Sequence, residues 1–286
     1  MITAALWIDF DGDGQLDLVT AGDWMPLQFF KKEGQHLRNV TESMGIGPTR
    51  GRWLSLATGD FNRDGHPDLV AGNLGQNHTY RTSRDSRFGI YAGDYTGVRR
   101  TDIILTTELD GTEYPWYGLA MLGKPVYTIG LRFPNHAAFS HASIREILSP
   151  SQIAGSLHYQ ADTFASLYLQ STGQGTFTAT PLPSAAQIAP VRGIVVTDVD
   201  RDGNLDLVVA GNLYDTEPNT PPADAGNGLW LRGDGGGQFT AVSPRQSGFL
   251  TPGNVTGLSA LKTPTGIAVL VASHGDSLSA YVIRRR

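Results

Sequence analysis

The chain contains no cysteine, which excludes a disulfide framework, a thiolate metal site and a cysteine nucleophile. It also lacks any apolar run near the ~20 residues a helix needs to cross a bilayer; the longest convincing one is Ile267 to Ala272. No basic and apolar leader opens it. Met1 is followed almost at once by Trp7, Ile8, Asp9, Phe10 and Asp11, residues that suit a strand and its turn rather than a signal peptide. The chain is therefore expected to begin inside a repeating structure, as part of a larger protein whose export signal lies upstream. Positive charge is scarce as well. The net charge of −5 argues against a general nucleic-acid binder, which needs clustered Lys and Arg. The one basic run, Arg284, Arg285 and Arg286, reads as a solvated tail.

What the chain does have is glycine, 35 of 286 residues against an average of roughly 7%. Sixteen prolines add to the turns, and together they favour an all-β chain of short strands. Three segments fall on one template. The first is Asp9, Asp11, Asp13, Gln15 and Asp17; the second is Asp60, Asn62, Asp64, His66 and Asp68; the third is Asp198, Asp200, Asp202, Asn204 and Asp206. In each, oxygen side chains stand at positions 1, 3, 5 and 9, glycine at position 6, and Leu-Val follows.

Calcium takes six to eight oxygen ligands, so alternate carboxylates of a tight loop are suitable donors. The glycine permits a sharp turn at positive φ. Gln15, His66 and Asn204 would donate a backbone carbonyl. Carboxylates crowded without a cation would repel one another, so about three structural Ca2+ ions are expected. An EF-hand would need a bidentate Glu at position 12. Those positions are Thr20, Ala71 and Val209, in apolar runs that suit strands. The loops thus join two β-strands.

Apolar runs flank every loop, and two later stretches read as hairpins completing a repeat: Ser166 to Thr178 and Gly228 to Val242. Two further repeats are weaker. Asp94 to Asp102 has Val98 where position 5 should ligate, and the last, Gly257 to Ile283, has no acidic loop. Asn135 to Leu148 suits a helix with Asn135 as N-cap, and a second could begin at Ser149-Pro150. The expected organisation is a single unit over residues 1–286, with a helical insertion at about 133–158 in the third repeat.

These loops resemble the FG-GAP/VCBS repeat family, whose members include bacterial VCBS surface proteins and the integrin α-subunit propeller. The shared signature is D-x-[DN]-x-D-G-x-x-D-[LV]-[LV]. The resemblance implies an all-β β-propeller of FG-GAP/VCBS blades with calcium stabilising the blade hairpins. Family propellers commonly have about seven blades. About five blade-like units are legible here, which makes an incomplete ring or one segment of a larger protein.

Candidate chemistry beyond the loops is sparse. Glu108, Asp110 and Glu113 lie near Tyr114, Trp116 and Tyr117, the minimum for a glycosidase pair, but they surround Gly111 in what reads as a solvated hairpin turn. His136 and His141 are spaced i, i+5, on different helix faces; with His158 they read as satisfied or exposed. The reading is a non-enzymatic, calcium-stabilised binding or scaffold module of an exported, cell-surface or periplasmic protein, with a protein or glycan partner. A calcium-dependent carbohydrate-active enzyme, a propeller lyase or hydrolase, is the alternative.

Overall fold

The computed structural model describes residues 1–83, 85–216, 220–264 and 266–283. Arg284, Arg285 and Arg286 lie outside them. The chain is all-β with a few short helices, and divides into two compact units: residues 1–79 with 164–286, and residues 80–163. Among the described residues no helix is long and apolar enough to cross a membrane.

The first unit opens with β1 (Ile2–Ile8), β2 (Asp17–Met25), β3 (Gln28–Glu33) and β4 (His36–Asn39), an antiparallel meander that β5 (Gly51–Arg52) joins along β2. β6 (Ser55–Gly59) and β7 (Asp68–Gly72) follow. The chain then builds the second unit. Its strands are β8 (Phe88–Gly93), β9 (Asp102–Leu109) and β10 (Thr112–Pro115). Five short helices come next: α1 (Leu119–Leu122), α2 (Tyr127–Arg132), α3 (His136–Ser140), α4 (Ile144–Ile147) and α5 (Pro150–Ala154). β11 (Leu157–Ala161) ends the unit.

On its return the chain makes β12 (Leu167–Ser171) and β13 (Phe177–Pro181), and these pair onto β7 to give the order β13-β12-β7-β6. The hairpin from Ser166 thus completes the sheet of the Asp60 loop, and residues 80–163 interrupt that sheet. β14 (Gly193–Thr197), β15 (Asp206–Ala210), β16 (Leu229–Gly233) and β17 (Phe239–Val242) form the next meander. β18 (Val255–Thr263), β19 (Gly266–Ser273) and β20 (Ser279–Ile283) form a three-stranded last one. Among the described residues no strand pairing joins one sheet to another.

Period-two geometry explains why the Leu-Val runs are apolar throughout. Successive side chains of a strand point to opposite faces, and both faces of β7 and β15 are covered. Leu69 and Ala71 enter a core with Val19, Phe29 and Trp53, while Val70 enters a second core with Leu207, Val209 and Leu231. Val208 and Ala210 of β15 turn instead to Val255, Val269 and Val271. The sheets of this unit therefore pack face on face in chain order. Each fully buried Val, Leu or Phe among these contributes about 1.5–3 kcal/mol.

In the second unit the strand order is β10-β9-β8-β11, and Tyr91, Tyr95 and Ile104 pack against Leu122, Ile129, Phe139, Ile144 and Ile147 of the helices. Asn135 caps α3 by accepting from the Ala138 N–H at 2.9 Å. The single helix expected from Asn135 to Leu148 is broken in two, because Ser143 and Glu146 form a capping box that restarts the chain as α4. Ser149 and Gln152 repeat the device for α5, with Pro150 in its first turn.

Candidate metal centre

Each of the three acidic segments is a loop between the first two strands of its sheet: β1–β2, β6–β7 and β14–β15. Their internal bonding shares two features, a position-1 aspartate that accepts the position-6 N–H and a position-5 carboxylate that accepts the position-7 N–H. The position-1 aspartate collects backbone N–H groups of the turn. Asp9 accepts from Gly12, Asp13 and Gly14 at 2.8, 3.1 and 2.9 Å. Asp60 accepts from Asp64 and Gly65 at 3.1 and 3.0 Å, and Asp198 from Arg201 and Gly203 at 2.6 and 3.0 Å. The position-5 carboxylate accepts from the N–H of position 7: Asp13 from Gln15 at 2.9 Å, Asp64 from His66 at 2.8 Å and Asp202 from Asn204 at 2.8 Å. The turn requires left-handed backbone at position 6, where Gly14, Gly65 and Gly203 have φ of 83°, 84° and 88°.

The position-9 aspartates serve a different end. Asp17, Asp68 and Asp206 are fully buried, and each accepts a backbone N–H from the third strand of its sheet. The donors are Lys32 at 2.7 Å, Ser171 at 2.7 Å and Gly233 at 2.8 Å. Asp68 also accepts from Phe61 N–H and the Tyr168 hydroxyl, and Asp206 from Val199 N–H. Burial pushes all three carboxyls up, with the hydrogen bonds opposing it.

Asp17 carries the sharpest signal. Its second carboxylate oxygen is buried and makes no well-formed hydrogen bond; the Phe10 N–H, counterpart of Phe61 and Val199, faces the carboxylate and only helps to hold its pKa down. A buried carboxylate oxygen short of a well-formed hydrogen bond is costly, and a cation would relieve it. Asp9, Asp11 and Asp17 each offer an oxygen, all within 4.8 Å of one another; so do Asp198, Asp200 and Asp206. Both groups could hold a metal ion, and their all-oxygen donor sets suit a hard one. In the middle loop Asn62 replaces one carboxylate, and its amide donates to Asp64 at 2.8 Å.

Two participants escaped the sequence reading. Lys31 of β3 pairs with Asp11 and, at 3.1 Å, with Asp13. Arg232 of β16 pairs with Asp200 at 2.7 Å and Asp202 at 2.9 Å. Hydrogen bonds to Asp11 and Asp13 hold the Lys31 ammonium above its ordinary value. The N–H of Gln15 and then Lys31 hold Asp13 below its own. Both cations come from the third strand, far along the chain from the loops, and only the strand register aligns them.

The Asp94 segment keeps the turn and not the cluster. Asp94 accepts from Thr96, Gly97 and Arg99 N–H groups. Val98 is exposed, and buried Asp102 is taken by Tyr95 N–H and the Arg100 guanidinium.

Glu113 and Glu108 are not solvated turn residues. They face each other across β10 and β9, and Gln160 bridges them at 3.3 Å to each. Glu113 accepts from Tyr91 at 2.6 Å and Thr106 at 3.0 Å and pairs with His158 at 3.0 Å, while the His158 ring stacks on Tyr91. Burial alone would push the Glu113 carboxyl up, but His158, Tyr91 and Thr106 outweigh it and hold it at about 2. A carboxyl so held remains ionised and cannot donate a proton near neutral pH, as a glycosidase acid must.

Residues 9–71 match the model of the FG-GAP-like repeat family, so the chain carries an FG-GAP-like repeat across its first two loops. No curated protein matches the chain.

Proposed function

We propose that this chain is a non-enzymatic binding or scaffold module in which calcium stabilises FG-GAP blades of a β-propeller, and that it belongs to an exported or cell-surface protein. The observation that carries the metal reading is the buried oxygen of Asp17, short of a well-formed hydrogen bond, beside Asp9 and Asp11. Asp9, Asp11, Asp13 and Asp17 would hold one ion with the Gln15 carbonyl. Asp60, Asn62, Asp64 and Asp68 would hold a second with the His66 carbonyl, and Asp198, Asp200, Asp202 and Asp206 a third with the Asn204 carbonyl. When bound, the ion supplies charge neutralisation and oxygen ligation, which tie the first two strands of each sheet.

The propeller reading is supported by the FG-GAP-like match and by sheets that pack face on face in chain order. The extracellular reading is consistent with extracellular calcium modules, which are often tuned to ~10⁻⁴ to 10⁻³ M and fill only where calcium is abundant. The partner, protein or glycan, would meet the propeller face or the helical insertion.

Calcium titration by calorimetry on metal-stripped protein, with melting temperature followed in parallel, tests this. About three sites and a raised melting temperature are expected, both lost in the Asp11→Ala, Asn62→Ala, Asp200→Ala triple variant. No uptake at millimolar calcium would reduce the loops to plain turns.

A further inference from the structure

The third strands of the three loop-bearing sheets can be aligned without reference to sequence spacing. Leu18 pairs with Phe30, Leu69 with Leu169 and Leu207 with Leu231. The residues that follow on the third strand are Lys31, Gln170 and Arg232. A second relation fixes the same alignment. The next residues along, Lys32, Ser171 and Gly233, all donate their N–H to the ninth aspartate.

One position therefore carries a cation where the loop has aspartate at position 3, and a neutral amide where the loop has asparagine. Lys31 faces Asp11 and Asp13; Arg232 faces Asp200 and Asp202; Gln170 holds the equivalent strand position in the sheet of the loop with Asn62 and Asp64. The outer oxygen of the position-5 aspartate receives a donor in every case: from Lys31, from Arg232, and in the middle loop from Asn62 itself. Counting the aspartates and the third-strand residue alone, four with one cation or three with none leave three negative charges; Arg63 and Arg201 inside the second and third loops bring each of those two loops down to two.

We propose that Lys31 and Arg232 are tethered competitors of the divalent cation, which set the metal affinity of the first and third loops, while in the middle loop the neutral Gln170 holds the equivalent position. This rests on the metal reading given above. An ion entering the first loop must take Asp11 and Asp13 from Lys31, whose ammonium then moves into water. Half-exposed, flexible side chains suit that exchange: Lys31 is 28% exposed and Arg232 49%. The competing account is that the ion pairs merely brace each loop against its third strand. The two accounts predict opposite signs. Removing a competitor tightens metal binding, and removing a brace loosens it.

The test is calcium calorimetry on the full, metal-stripped chain for the wild type, Lys31→Gln, Arg232→Gln, the double variant and Gln170→Lys, at low and high salt, with far-ultraviolet circular dichroism as the check on folding. Lys31→Gln and Arg232→Gln should each tighten one site by about tenfold at low salt, the size of one charge pair near a surface. Gln170→Lys should weaken the remaining site by a similar factor. Calcium-free melting temperature should fall in the double variant, because uncompensated aspartates then repel, and calcium should restore it. Wild-type or weaker affinity in Lys31→Gln and Arg232→Gln, with calcium still binding the wild type, would overturn the competition alone. Absence of calcium binding in the wild type and in every variant would overturn it together with the metal reading.

Discussion

The Asp9–Asp17 loop and the Asp94–Asp102 loop follow one backbone path and face their carboxylates toward different things. In both, the first aspartate gathers turn N–H groups, and the ninth is buried against the N–H of position 2 or the third strand. Positions 4 and 6 are left-handed in both: Gly12 and Gly14 in one, Gly97 and Arg99 in the other. The difference lies at positions 3 and 5. Asp11 and Asp13 stand where the other loop has Thr96 and Val98, and the open oxygen of Asp17 contrasts with Asp102, closed by Arg100. The outer aspartates therefore make the turn, and Asp11 adds the carboxylate that completes a group able to hold a metal ion. A loop can lose the second property and keep the first.

The largest effect should come from the residue both loops need. Asp206→Ala strands the N–H groups of Gly233 and Val199, and Asp102→Ala strands that of Tyr95 and the Arg100 guanidinium. Buried donors left unpaired cost about 1–3 kcal/mol each, so Asp206→Ala should lose about 3 kcal/mol in urea unfolding and Asp102→Ala, whose Arg100 partner is largely exposed, about half of that. The loss should appear with and without calcium. If Asp102→Ala were harmless while Asp206→Ala was not, the ninth aspartate would be a metal ligand first and a staple second.

Next in size is a proton linkage in the second unit, where protein donors rather than a cation hold the carboxylate. Glu113 has a folded value of about 2 against an ordinary 4.5. A depressed carboxyl stabilises the fold above its unfolded value, and that contribution fades as pH falls from about 4.5 toward 2. The full shift corresponds to at most about 3 kcal/mol. Trp116 is the one tryptophan within residues 80–163, so a fluorotryptophan NMR signal can follow this unit. Wild type should destabilise over that window, and Glu113→Gln should flatten the dependence. An unchanged slope in the variant would place the acid sensitivity elsewhere.

A smaller effect isolates the inner positions. Asp13→Val copies Val98 into the first loop. Calcium-free stability should move little, since Asp13 lies at the surface, where it pairs with Lys31 and accepts the Gln15 N–H. The calcium-induced stabilisation of that site, about 2.7 kcal/mol at a hundredfold excess over Kd, should vanish. Retention of all the calcium response would mean that position 5 is dispensable.

Much of this was legible in the residues. Carboxylates at alternate positions with glycine at position 6 identified three loops between strands, and Val98 marked the fourth as different. Two things were not legible. The pairing of β12 with β7 spans residues 80–163, and nothing local in Ser166 to Thr178 says which sheet that hairpin will join, because any apolar strand partner satisfies its backbone. Lys31 and Arg232 sit on third strands at different sequence distances from their loops, so a search at fixed spacing passes over them. Aligning the apolar pairs Leu18–Phe30 and Leu207–Leu231 would have found them, but that register is set by three-dimensional packing. The turn at Glu113 looked solvated for a related reason: His158 reaches it only because β11 pairs with β8.

The smallest effect concerns position 4, which is glycine in the Asp9 and Asp94 loops and arginine in the other two. Arg201 has φ of 65° and Arg63 of 61°, conformations that cost a residue with a Cβ roughly 1–2 kcal/mol. Arg201→Gly removes that strain but adds freedom to the unfolded chain worth roughly 0.5–1 kcal/mol. The two nearly cancel, so stability should rise by less than about 1 kcal/mol, resolved by paired urea titrations of the calcium-free proteins. Gly12→Val runs the other way, because a β-branched residue resists positive φ, and it should destabilise by more than Arg201→Gly gains. Nothing lies near the site of a Cβ at Gly12, so the cost there would be backbone strain alone. A marked loss in Arg201→Gly would show that the arginine side chain, and not the shared turn, holds the third loop in its path.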